Sequence, residues 1–263
     1  ADTVKNTLYG GSGTDRLHGS LSGDIVYGDS SAGGRSGQGD WLDYDLVVAS
    51  GVHVDLVAMT SVGWNGTTDL ATNDTIGGID NVSGSAQADY ILGTTSVETI
   101  YGIGGNDTIV GRGGADSLYG GTGDDTFVFD TVALMQAAAV IHGGASGEIN
   151  GVTLVGHAGN ETLTAGNMTY IQQISLASGS TSSAAYVANT NAVSIIGTSG
   201  ADYVVGGSGY TNTIATGAGD DIVVFAVGDL LGDVVDGGDH SAGDTLKLTG
   251  ATAITDSQFI NVF

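Results

Sequence analysis

The chain has 263 residues, with 29 acidic side chains against five lysines and arginines and a formal charge of −24. That balance excludes nucleic acid and anionic membrane surfaces as partners. The absence of cysteine excludes disulfides and thiol chemistry, and no stretch is apolar enough to cross a membrane as a helix.

Residues 1–44 open with repeated nonapeptides. Gly10-Gly-Ser-Gly-Thr-Asp15-Arg-Leu-His18 is followed in frame by Gly19-Ser-Leu-Ser-Gly-Asp24-Ile-Val-Tyr27. The frame breaks in a small polar loop, Ser30–Ser36, and resumes at Asp40-Trp-Leu. Between residues 45 and 83, Val52–Leu56 alternates apolar and polar side chains, as a half-buried strand does. Asn73–Ile76 and Ile79–Val82 read as further rungs.

Residues 84–128 are the most regular stretch, five nonapeptides without a gap: Gly84–Leu92, Gly93–Tyr101, Gly102–Val110, Gly111–Tyr119 and Gly120–Val128. Position 1 is glycine. Position 6 is Asp89, Glu98, Asp107, Asp116 or Asp125, and position 8 is Ile91, Ile100, Ile109, Leu118 or Phe127. Six residues rich in glycine, aspartate and asparagine suit a turn. The remaining three, apolar in the middle, suit a very short strand with one inward side chain. Two nonapeptides then complete one flattened coil, and a fixed period of this kind marks a stacked repeat.

Beyond it, Val132–Ala139 predicts a helix behind a cap at Asp130, with a strand as the alternative. Residues 156–164 hold a degraded repeat with Glu161 at position 6. Thr- and Ser-rich strands such as Tyr170–Leu176 follow. The repeat returns over 197–224, with Asp202, Asn212 and Asp221 in the acidic place, and over 237–248 with Asp244. The expected fold is all-β, a parallel β-roll or β-solenoid, divided into 1–130 and 131–263.

Stacking places Asp89, Asp107 and Asp125 in one column and Glu98 with Asp116 in another, with coils about 4.8 Å apart. Carboxylates about 5 Å apart repel by about 3 kcal/mol at an effective dielectric near 20. One inward apolar side chain per nine residues gives a core too thin to absorb that. The columns therefore need a cation. The available donors are carboxylates and carbonyls, the hard oxygens that suit calcium better than zinc or copper.

Gly102-Ile-Gly-Gly-Asn-Asp-Thr-Ile-Val110 and Gly120-Gly-Thr-Gly-Asp-Asp-Thr-Phe-Val128 resemble the RTX, or haemolysin-type, calcium-binding repeat of secreted bacterial proteins. That calcium binds this nonapeptide is a known property of the family rather than a result of the spacing. The resemblance implies several calcium ions between successive turns, held by position-6 carboxylates and turn carbonyls. Carried over residue by residue, the expected ligands are Asp15, Asp24, Asp89, Glu98, Asp107, Asp116, Asp125, Asp202, Asp221 and Asp244. Around the three most regular turns they extend to Gly102, Gly104, Asn106, Gly111, Gly113, Gly120 and Gly123. Gln87 and Ser96 replace the position-4 glycine in the turns of Asp89 and Glu98. Residues 40–129 are similar to the RTX region of serralysin-type proteases. The apolar end, Phe259–Phe263, is similar to the C-terminal signal of type I export and reads equally well as a strand.

No pair of histidines forms a zincin motif, and there is no G-x-S-x-G elbow or phosphate loop. His157 and Glu161 lie four apart, but Glu161 belongs to the repeat. Trp41, Trp64, Tyr27, Tyr44, Tyr101 and Tyr119 suggest either a sugar-binding face or a cover for the core. The leading expectation is a non-catalytic, calcium-binding structural protein of a secreted or cell-surface bacterial assembly such as an S-layer, filament or adhesin. Its partners would be calcium and its own copies or a neighbouring surface protein. The alternative is the RTX domain of an exported protease or lipase.

Overall fold

The computed structural model describes residues 5–20, 22–29, 39–47, 49–70, 73–145, 147–155, 168–176, 182–186, 194–206, 211–226, 232–239 and 243–250. The Ser30–Ser36 loop, the repeat at 156–164 with His157 and Glu161, His240 and the end at 259–263 lie outside them. The protein is a parallel β-solenoid that divides into two compact units, residues 1–128 with 137–150, and 129–136 with 151–263.

The strands of the first unit are β1 (Thr7–Gly11), β2 (Arg16–His18), β3 (Ile25–Asp29), β4 (Trp41–Asp43), β5 (Gly51–Asp55), β6 (Thr60–Trp64), β7 (Asp74–Gly77), β8 (Asn81–Ser83), β9 (Tyr90–Leu92), β10 (Thr99–Gly104), β11 (Thr108–Val110), β12 (Ser117–Thr122) and β13 (Thr126–Phe129); helix α1 (Val132–Ala137) separates these from β14 (Val140–Gly144). Consecutive strands alternate between two sheets, so each strand pairs with the one a coil later. Ile91, Ile109 and Phe127 are register partners in one sheet. Leu17, Leu42, Val82, Ile100, Leu118 and Ile141 follow one another in the other. The position-8 residues of the five tandem repeats are all fully buried. This is the expected core, one apolar side chain per strand, stacked into ladders between the sheets.

Two features depart from the expected rungs. The first is an antiparallel excursion. β5 pairs antiparallel with β6, and β6 with β7, before β5 rejoins the parallel ladder beside β9. The second follows β12. Ser117 pairs with Val140, where an unbroken frame would offer Met135. The extra residues are taken up around α1, whose first turn is capped by Thr131 Oγ1 accepting the Leu134 amide at 3.2 Å, not by Asp130.

The outer face of the β2–β14 sheet carries stacked rings. Tyr101 and Tyr119 lie 4.7 Å apart, and Trp41 lies 5.7 Å from Tyr101. Arg16 sits 5.3 Å over Trp41. These rings cover one another's faces, which a sugar would need, so the arrangement is a cross-strand ladder. Tyr44 belongs to no surface: it is fully buried, and its hydroxyl pairs with Ser61.

The second unit contains β15 (Gly151–Leu154), β16 (Met168–Thr169), β17 (Gln173–Leu176), β18 (Ser182–Tyr186), β19 (Ser194–Ile196), β20 (Ala201–Val205), β21 (Thr213–Ala215), β22 (Ile222–Ala226), β23 (Val234–Asp236) and β24 (Thr245–Thr249). One parallel sheet stacks Val152, Ile174, Ile195, Ile214 and Val235. A second aligns Val204, Val223 and Leu246. The residue numbers show why the period is harder to read here: partners are 19 to 23 residues apart instead of the constant 18 within residues 84–128.

Candidate metal centre

Each position-6 residue sits just before a strand or, for Asp202, at the second residue of one, so the strand register stacks these side chains. In the first sheet of the first unit, the Asp89 amide donates to Asp107 Oδ1 at 2.8 Å and the Asp107 amide to Asp125 Oδ1 at 2.9 Å. The Asp125 amide continues the chain to Asn150 Oδ1 at 2.8 Å. On the opposite edge the Asp15 amide donates to Asp40 Oδ1, the Asp40 amide to Asp80 Oδ2, and the Glu98 amide to Asp116 Oδ1. In the second unit the same relay runs from Asp202 to Asp221 to Asp244, at 2.7 and 2.9 Å. Asp24 lies on the edge shared with Asp74, whose Oδ1 accepts the Asp24 amide at 2.8 Å. Asp233 Oδ1 likewise accepts the Asn212 amide at 2.5 Å. Sequence reasoning did not place Asp40, Asp74, Asp80, Asn150 and Asp233 among the expected ligands, although they join these relays. The acidic-x-apolar spacing of Asp40–Leu42, Asp74–Ile76 and Asp80–Val82 was the available signal; Asn150, an amide, carried none.

One oxygen of each carboxylate caps the preceding coil. The other points back into its own turn. The Oδ2 atoms of Asp15, Asp40, Asp107, Asp125 and Asp221 are buried and have no hydrogen-bond partner among the described residues. At Asp15, Asp40, Asp107 and Asp125 a carbonyl oxygen converges on the same glycine as the carboxylate. A Cβ added to Gly102 would fall 2.1 Å from Asp107 Oδ2 and 2.5 Å from the Gly120 carbonyl oxygen. One on Gly120 would fall 2.0 Å from Asp125 Oδ2 and 2.4 Å from the Gly143 oxygen. In these two turns position 1 is glycine because the carboxylate and the next coil's carbonyl converge on its Cα; the turn of Asp221 has Thr216 there. The Ile103 and Gly105 carbonyls face Gly121 and Gly123 of the next coil in the same way. Gly104 closes β10, and Asn106, Gly111 and Gly113 lie in the turns between: Asn106 Oδ1 accepts the Asp124 amide at 3.1 Å, and the Gly111 carbonyl accepts the Gly113 amide at 2.7 Å.

Buried oxygens facing oxygens, with no donor between them, carry an electrostatic penalty. Burial and then the charge of Asp89 push Asp107 up to about 9. Burial, with Glu148 and Asp124 adding to it, pushes Asp125 up to about 7. Burial also raises Asp89, to about 6, although the Ser85 and Val52 amides oppose it. A divalent cation among these oxygens removes the penalty and keeps the carboxylates ionised. The donor set, carboxylate and carbonyl oxygen throughout, fits calcium.

A separate group, His18, Asp43 and Asp45, has ligand atoms within 4.8 Å of one another. The guanidinium of Arg16 already pairs with Asp43 there.

No curated protein matches the chain. The sequence profile of the RTX calcium-binding nonapeptide repeat, spanning four copies, matches residues 3–32, 74–102, 101–130, 187–210 and 196–229, close to half the chain. These segments contain most of the carboxylate columns and the glycine cradles beside them. The chain belongs to the RTX calcium-binding nonapeptide repeat family, and its β-roll is a calcium-binding structural domain of a non-catalytic kind.

Proposed function

We propose that this chain is a calcium-folded structural element of a secreted or cell-surface bacterial assembly, such as an S-layer, filament or adhesin. The observation that carries this reading is the recurrence of buried, donor-less carboxylate oxygens at the coil period. Such columns oppose folding where calcium is scarce. Extracellular calcium is in the millimolar range expected to load modules of this kind, so folding follows export. The formal charge of −24 strengthens the contrast, because an extended acidic chain relieves its own repulsion. Assembly is supported by β1 and β2, which end the two sheets of the first unit among the described residues and offer edges to another copy.

Circular dichroism in EGTA and in 5–10 mM calcium, with electron micrographs of both samples, tests this. The expected result is a disordered chain in EGTA and folded polymers with calcium. Strand signal that survives EGTA unchanged would remove the folding switch. Folded monomers at every calcium concentration would remove the assembly role.

A further inference from the structure

Within the repeats the position-6 carboxylates divide by what faces them. Asp24, Asp89, Glu98 and Asp202 each have a hydroxyl at position 2 of the same turn: Ser20, Ser85, Thr94 and Thr198. Each hydroxyl bonds its carboxylate. Ser85 Oγ donates to Asp89 Oδ1 at 2.8 Å, and Thr94 Oγ1 to Glu98 Oε1 at 2.5 Å. Thr198 Oγ1 lies 3.1 Å from Asp202 Oδ2, and Ser20 Oγ also donates to Asp24 Oδ2. In three of these turns the position-2 amide adds a second bond to the carboxylate, at 2.6, 3.0 and 2.6 Å from Ser85, Thr94 and Thr198. The hydroxyl then accepts the position-4 amide of Gln87, Ser96 or Gly200, at 3.0–3.1 Å. The turn is closed by its own donors.

The donor-less turns have a different backbone. Position 2 lies in the left-handed region at Gly11, Ile103, Gly121 and Gly217, with φ of 110°, 84°, 117° and 99°. Position 4 does so at Gly13, Gly105, Gly123 and Gly219. None of Ser20, Ser85, Thr94 and Thr198 has positive φ. The donor-less Oδ2 atoms of Asp15, Asp107, Asp125 and Asp221 belong to these left-handed turns. Ile103 is telling, because a β-branched residue at φ 84° is strained and persists only where its surroundings demand it.

We infer that position 2 sorts the turns into two kinds: those of Asp15, Asp107, Asp125 and Asp221 take calcium, and those of Asp24, Asp89, Glu98 and Asp202 are closed by a hydroxyl in its place. The turns of Asp116 and Asp244, with Arg112 and Gly238 at φ 59° and 72°, share the first backbone. The inference rests on the calcium reading above and refines it. Residues 84–101 carry two hydroxyl-closed turns in succession, one whole coil that needs no ion. In the calcium-loaded fold it lies beside Gly102–Val128, whose turns take ions, and offers them an edge that takes none of its own.

Two variants of the full chain test it, each read by equilibrium dialysis with calcium and by the calcium midpoint of the strand signal. Ile103→Thr with Gly105→Ser installs the hydroxyl pattern in the turn of Asp107. The expected result is a folded chain that binds one calcium fewer than wild type. Unchanged stoichiometry, or failure to fold in saturating calcium, overturns the inference. Thr94→Val keeps the branched shape and deletes the hydroxyl. The expected result is a several-fold higher calcium midpoint, or loss of folding, and an unchanged midpoint overturns the inference. Wild type is the reference: if it binds no calcium, the proposed function falls and this inference with it, whereas normal wild-type binding with unaffected variants sinks the inference alone.

Discussion

Asp89 and Asp107 sit in successive coils, with the Asp89 amide donating to Asp107 Oδ1 at 2.8 Å while Asp107 Oδ2 is buried without a donor. The same side chain thus fastens one coil to the next and leaves an oxygen that the protein does not satisfy. The backbone ladder and the proposed ion site share this residue.

Replacing Asp107 should therefore cost more than replacing Asp24. Both substitutions by alanine strip an acceptor from a neighbouring amide, that of Asp89 or that of Asn6, a loss of about 1–3 kcal/mol. Only Asp107→Ala also removes an oxygen that lacks an internal donor, whereas Asp24 is held by Ser20. The expected outcome in a calcium titration followed by circular dichroism is a larger rise in midpoint for Asp107→Ala. Equal midpoints would count against the columns as ion sites.

Glycine at position 1 gives a steric prediction. Gly120→Ala places a methyl group 2.0 Å from Asp125 Oδ2 and 2.4 Å from the Gly143 oxygen, so the carboxylate must leave its place. The cost should be about 3 kcal/mol or more in urea melts at saturating calcium. Gly13→Ala meets nothing within 4 Å and carries only the strain of φ 111°, about 1 kcal/mol. Comparable losses from the two would contradict the cradle.

Without metal, pH should act in an unusual direction. The folded-state values of about 9 for Asp107 and about 7 for Asp125 lie above the ordinary 3.8. A raised folded value contributes stability that is fully present below the ordinary value and lost as pH rises through the folded one. Between about pH 4 and 9 the metal-free fold should weaken steadily, so strand signal in EGTA should be greater at pH 4.5 than at pH 8. With calcium the order reverses, because the ion needs deprotonated ligands and its binding releases protons. Strand signal in EGTA that rises with pH would be the contrary result.

The inward ladder offers a control that does not involve the ion. Leu118 is fully buried between its register partners Ile100 and Ile141. Leu118→Ala should cost about 2–5 kcal/mol, measured at saturating calcium, with the number of bound ions unchanged.

Much of the fold could be read because the nonapeptide ties each residue type to one structural task. Ile91, Ile109 and Phe127 had to stack once the period was fixed, and they carried Asp89, Asp107 and Asp125 with them. The antiparallel direction of β6 (Thr60–Trp64) could not be read, since pairing direction leaves no mark on composition. Asn150 enters the Asp125 relay only because α1 takes up the residues by which β14 departs from the frame, an offset visible in register and not in sequence. The hydroxyls at position 2 were in plain sight. Gln87 and Ser96 mark the turns of Asp89 and Glu98 at position 4, but the contacts to the carboxylates come from Ser85 and Thr94.

Residue-resolved amide hydrogen exchange at neutral pH, with calcium and then with EGTA, addresses the ion-dependent column at its source. The Asp89 and Asp107 amides donate to Asp107 and Asp125, so both should be protected in calcium and lose protection by about a hundredfold or more in EGTA. Protection of these two amides that persists in EGTA would contradict a fold held together by calcium.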